Sequence, residues 1–144
     1  MTKIALLFVT GSLLYPMLEL LWRGSTHSSM ALAGGICLVL INRICREKMQ
    51  KKSLAAKCAA GSLIITCVEF VFGVTVNLIM GLKVWNYSSL PLNIFGQVCL
   101  PFSAIWFFLT APALYLCKLC CAAANRMAAG LLPDSRDAAP AKHY

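Results

Sequence analysis

Four stretches of the chain are almost uninterrupted in apolar side chains: residues 4–22, 30–44, 58–82 and 98–117. The first and third reach the roughly 20 residues that a helix needs to cross a bilayer. The second falls short by about five unless Ser28 and Ser29 enter the membrane and Arg43 reaches back to its surface. The fourth is interrupted by Pro101 and Pro112. The pattern predicts an all-α, polytopic membrane protein with a four-helix transmembrane domain over residues 1–121. Residues 122–144 are expected to begin as a helical extension and to end as a disordered cytoplasmic tail. Lys3 ahead of an apolar run resembles the start of a signal peptide. The run continues past Pro16 and Glu19 to Trp22-Arg23 without a small-x-small site, so it reads as a retained helix, bent at Pro16.

Composition sharpens this picture. Hydrophobic residues make up 60% of the chain and charged residues 12%, against about 25% charged in soluble domains. Of 144 residues, four spans leave too few for a soluble catalytic domain. No Gly-x-x-x-x-Gly-Lys-Ser/Thr run is present, so any ATP hydrolysis would come from another chain.

Charge sets the orientation. With four spans, the N-terminus, the 43–57 loop and the tail share one side, and that side holds eleven of the thirteen Lys and Arg residues. The positive-inside rule then places both termini in the cytoplasm. Trp22 and Trp85 fall at the outer ends of outgoing helices, where interfacial anchors belong. The net charge of +8 raises the question of nucleic acid. The loop cations have no interleaved aromatic residues to stack bases, so they read as the topological signal beside anionic headgroups. No nucleic-acid partner, cofactor or metal is expected. Cys117-x-x-Cys120-Cys121 has the spacing of a metal or palmitoyl site, but its reducing location and lack of partner ligands favour inert thiols.

The candidate chemistry lies in polar groups within apolar surroundings. Glu69 sits about midway along the third span, where a charge costs about 2.5–3.5 kcal/mol on insertion scales. It must be protonated or paired with a group from another segment. Gly73, Asn77 and Gly81 follow it at steps of four, one line along a helix. Glu19 and Arg23 have the favourable i,i+4 order for an ion pair. Ser12, Tyr15, Glu19 and Trp22 share a face of the first helix. The 83–97 loop carries little charge, three aromatic residues and the amides Asn86, Asn93 and Gln97. Such a segment is expected to fold back over the bundle or to cap it at the interface. A faint repeat links Glu19, His27-Ser28-Ser29 and Gly34-Gly35-Ile36-Cys37-Leu38 to Glu69, Tyr87-Ser88-Ser89 and Gly96-Gln97-Val98-Cys99-Leu100. It suggests two parallel helix hairpins, with each Gly-x-(Ile/Val)-Cys-Leu string opening a returning helix.

At Trp85-Asn86-Tyr87-Ser88, Pro91, Asn93-Ile94 and Gly96-Gln97-Val98-Cys99-Leu100, preceded by Glu69-Phe70, the chain resembles small bacterial membrane proteins grouped as ABC-transporter type IV permeases, the CmpB-like group. The match is specific over about residues 66–104. Asn86 stands where the family commonly has Asp, and Gln97 where it commonly has Arg. If those two form an ion pair, an amide pair replaces it here. The resemblance implies a membrane component of a transporter, energised by an ATPase or other subunit in trans or by an ion gradient. An outer-facing cluster of Glu19, Arg23, His27, Glu69, Asn77, Trp85, Asn86, Tyr87, Asn93 and Gln97 would line the substrate or proton path. A homo-oligomer is expected, since four helices are few for a complete path. The alternatives are an enzyme acting on a lipid-linked or headgroup substrate, with Glu69 or His27 as acid or base and Arg23 holding an anion, and a non-catalytic assembly subunit.

Overall fold

A computed structural model describes residues 2–130. Four helices dominate it. Helix α1 spans Lys3–Arg23, with Thr2 as its N-cap and Gly24 closing it in a left-handed turn. Helix α2 spans Ser28–Ile41 and runs on as a π-helical segment, Asn42–Lys48. Helix α3 spans Leu54–Gly73 and likewise continues as π-helical turns over Val74–Ile79. A minimal antiparallel hairpin, β1 (Asn93–Ile94) and β2 (Val98–Cys99), precedes α4 (Leu100–Gly130). All four helical stretches are long and apolar enough to cross a membrane. Their outward faces carry exposed apolar side chains such as Leu13, Met17, Leu63 and Phe108, as lipid-facing surfaces do.

The ends of the helices differ from the apolar stretches. The second begins at Ser28, so Ser28 and Ser29 belong to the helix as the short apolar stretch requires, and its π-helical continuation carries it past Arg43 to Lys48, 21 residues in all. The third starts earlier, at Leu54, and stops at Ile79. Gly81, with φ of 69°, lies in the turn beyond it and not on the line through Glu69, Gly73 and Asn77. Val98 and Cys99 belong to β2, not to the fourth span. Pro101 sits in the first turn of α4, where a missing N–H costs nothing, and Pro112 lies inside a helix that runs through it. At 31 residues α4 is about 45 Å long and exceeds the hydrocarbon core. The expected tail therefore begins as helix up to Gly130, and its remainder lies outside the described residues. The repeat strings take different local structures: Gly34–Cys37 lies within α2, whereas Gly96–Cys99 forms the hairpin before α4.

Close backbone approach joins the helices of each pair. A Cβ on Gly34 would stand 2.3 Å from the Tyr15 Cβ, so only glycine lets α1 rest on α2 there. Between α3 and α4, a Cβ on Gly61 would meet Thr110 at 2.3 Å. Small residues at such crossings replace the hydrophobic driving force that lipid cannot supply. Hydroxyls add to it: Ser62 donates to the Ser103 carbonyl at 2.5 Å, and Thr66 bonds the Ser103 hydroxyl at 2.9 Å.

One end of the bundle is basic. There Lys3 pairs with Glu47 at 2.5 Å, and Asn42 donates to the same carboxylate at 2.9 Å, tying the start of α1 to the end of the second span. Cys117, Cys120 and Cys121 are buried beside them, against the Leu38 carbonyl, Thr10 and Asn42 respectively. Among the described residues no group of His, Cys, Asp and Glu side chains has the arrangement of a metal site.

Candidate functional site

The sequence places Glu69 in an apolar span, and the fold surrounds it. The residue is 3% exposed. Tyr15 of α1 donates its hydroxyl to one carboxylate oxygen, and Trp106 of α4 donates its indole N–H to the other at 2.9 Å. The two rings lie 5.5 Å apart, tilted by 30°. Tyr15 is held there by its contact with Gly34, so the packing of α1 on α2 aims a donor at α3. Both carboxylate oxygens are satisfied, yet no cation is within ion-pair reach of Glu69 among the described residues.

Glu69 is not sealed in. It borders a cleft of about 200 Å³ at the end of the bundle opposite the basic loop, walled by α1, α4 and the loop after α3. Glu19, Arg23 and Tyr87 reach the same cleft. Glu19 forms an ion pair with Arg23 and accepts from Thr26 at 2.5 Å. The remaining arm of Arg23 donates to the Val84 carbonyl at 3.2 Å, tying α1 to the loop. Tyr87 stacks on Phe102 with centroids 4.6 Å apart. Burial, with the Glu69 carboxyl nearby, pushes ionisation of the Tyr87 hydroxyl to higher pH, so the group stays a neutral donor.

Asn77, Trp85 and Gln97 form a second cluster. Asn77 donates to the Gln97 side-chain oxygen at 2.8 Å and accepts from the Val84 N–H at 2.6 Å. Gln97 donates to the Phe95 carbonyl at 2.8 Å, and Trp85 donates its indole N–H to the Gln97 carbonyl at 2.9 Å. The knot lies against α3 because Gly73 leaves room: a Cβ there would stand 2.7 Å from Gln97 Oε1 and 3.1 Å from the Trp85 ring. Asn77, buried within the π-helical turns at 74–79, lies one step of four beyond Gly73 and faces the same knot. Trp85 is thus 6% exposed and no interfacial anchor, whereas Trp22 is 72% exposed at the helix end.

The other expected members stand apart. Asn86 accepts from the Ser88 N–H at 2.8 Å in a local turn and does not bond Gln97, so no amide pair crosses the loop. Asn93 donates to the Leu90 carbonyl at 2.8 Å and accepts from the Gly96 N–H at 3.1 Å, shaping the hairpin. His27 caps α2 through Nδ1, which lies 2.8 Å from the Ser29 hydroxyl and accepts the Ser29 N–H at 3.3 Å. The expected single cluster is therefore two, with two loop turns and a helix cap beside them.

Neither donor to Glu69 is in the expected cluster: Tyr15 stands in the sequence only as part of the polar stripe of the first helix, and Trp106 is not singled out at all. A Trp well inside an apolar span, away from the interfaces where Trp concentrates, is the signal that could have found it.

No curated protein and no solved structure matches this chain. A family described as "Putative ABC-transporter type IV" matches residues 6–132, which takes in all four apolar helices. The chain is a multi-pass membrane protein and belongs to that family.

Proposed function

We propose that the protein is the membrane-embedded permease component of a transporter, with Glu69 lining the path of the substrate or of a coupling proton. One observation carries this reading. An acid is buried among apolar helices with two neutral donors and no cation, and it still faces an open cleft. A carboxyl serving only to fasten helices would have no need of that opening. The family description supports an association with transporter subunits. The chain lacks a phosphate-binding loop, so the ATP hydrolysis that the family description implies would fall to a separate subunit.

In this reading the protein resides in a bacterial plasma membrane with both termini in the cytoplasm and the cleft opening outward. The cation distribution supports that orientation. The hairpins α1–α2 and α3–α4 act as parallel units, each opening on an acid-bearing outgoing helix, and two or more copies complete the path. Asn77, Trp85 and Gln97 position the loop, while Glu19, Arg23 and Tyr87 form the cleft mouth.

The enzymatic alternative is less well supported. Arg23 is paired with Glu19, so a substrate anion would have to compete with that carboxylate, and the His27 Nδ1 is taken by the α2 terminus and is not open as a base. Isolation from native membranes in mild detergent tests the proposal. The expected result is co-purification of a subunit with vanadate-sensitive ATP hydrolysis. Turnover of a lipid-linked substrate by the purified chain alone would overturn it.

A further inference from the structure

We propose that the cleft binds a lipophilic cation, its onium head seated beside Glu69 and its apolar tail lying in the crevice between α1 and α4. The inference rests on reading this cleft as the substrate site, and it adds the class of substrate.

Charge is the first argument. Glu19, Arg23 and Glu69 are the formally charged residues lining the cleft. Arg23 is neutralised by its ion pair with Glu19 and also donates to the Val84 carbonyl. Tyr15 and Trp106 satisfy the Glu69 oxygens without adding positive charge. The group without a cationic partner is a carboxyl, so a bound cation supplies the partner that the bundle withholds and favours the ionised form, whereas an anion would have to compete with Glu19 for Arg23. A cation meets its counter-charge in a low-dielectric setting, where the attraction is far stronger than in water.

The wall is the second argument. Tyr15, Trp22, Tyr87, Phe102 and Trp106 bring five aromatic rings to one small cleft. Ring faces attract organic cations, more strongly where water is excluded, and ring surface offers little to a hydrophilic solute.

The third argument is the space beyond. An apolar cavity of about 340 Å³ adjoins the cleft, sharing Tyr15, Leu18, Trp106 and Leu109 with it and continuing past Leu14 to Leu116. Head site and tail site meet at the Tyr15–Trp106 pair. A polar head with a chain along the membrane normal fits that shape better than a compact solute.

Equilibrium binding of tritiated tetraphenylphosphonium to the purified full-length protein in dodecylmaltoside tests the proposal, with the uncharged detergent in excess as a built-in control for tail binding alone. The expected result is saturable binding, displaced by dodecyltrimethylammonium at concentrations at least tenfold below those of tetramethylammonium. Glu69→Gln should weaken binding at least tenfold and Phe102→Leu about threefold. The Gln side chain can accept from Trp106 and donate to the Tyr15 hydroxyl, so that variant keeps the fold, as size-exclusion and helical circular dichroism will register. Absence of saturable binding overturns the inference. So does wild-type affinity in a folded Glu69→Gln variant, or displacement by dodecyl phosphate as effective as by dodecyltrimethylammonium. If cation binding fails while an ATP-hydrolysing subunit still co-purifies, the substrate class is wrong and the transporter reading stands. Cation binding without such a subunit supports the pocket assignment and overturns that reading.

Discussion

Glu69 stays inside the bundle because two donors from two other helices meet its two oxygens. Removing either donor leaves a buried acceptor unpaired, which costs about 1–3 kcal/mol. Tyr15→Phe and Trp106→Phe should each lower thermal stability in detergent by that amount, whereas Glu69→Gln, which can keep both bonds, should cost less. Unfolding monitored by tryptophan fluorescence checks the ranking; a larger loss in Glu69→Gln than in Tyr15→Phe would contradict this account of the site. The acid itself was legible in the sequence, because a lone carboxylate in 25 residues of apolar chain demands a partner. Its partners were not. Tyr15 was visible only as one member of a polar stripe, and Trp106 only as a Trp set deep in its span, with nothing to say which way it faced. Which rings converge on a carboxylate depends on helix rotation, which local sequence does not specify.

At the level of elements, the loop after α3 is held by an amide knot and by the bareness of Gly73. Lys83, Leu92 and Phe95 adopt left-handed backbone conformations, with φ of 51–52°, that non-glycine residues rarely take. The surrounding hydrogen bonds over-determine them. Gly73→Ala places a methyl group against Gln97 and Trp85 and should release the knot. Hydrogen exchange over residues 83–97 should accelerate by roughly tenfold or more, the equivalent of about one lost hydrogen bond, while α1 and α2 keep wild-type protection. Unchanged protection in the loop would contradict the packing argument. The chemistry of this segment showed in its amides and its low charge. Its division of labour did not: Asn86 and Asn93 serve turns, His27 a helix end, and Asn77 joins Gln97 one turn beyond Gly73. Helix ends were the least readable feature, since hydropathy marks where a span is apolar and not where its hydrogen-bond ladder stops.

For the whole molecule, the number of apolar helices followed from patterning alone, because a bilayer forces each long apolar run into one self-satisfied helix. Orientation remains an electrostatic argument with a direct test. In intact cells a membrane-impermeant maleimide should label an Asn86→Cys variant above the background of native cysteines, and a Lys51→Cys variant only after permeabilisation; the reverse pattern would invert the topology. The two ends of the bundle differ in character, one fastened by the Lys3–Glu47 ion pair and by thiols around Asn42, the other opening past the Glu19–Arg23 pair to the buried acid. The claim that joins residue to molecule is that the Glu69 carboxyl does work beyond fastening helices. Vanadate-sensitive ATP hydrolysis, compared between complexes isolated from native membranes with the wild-type chain or its Glu69→Gln variant, tests that claim most directly. The expected result is equal recovery of both complexes, with turnover in the variant at least tenfold lower. Equal turnover at equal recovery would contradict it.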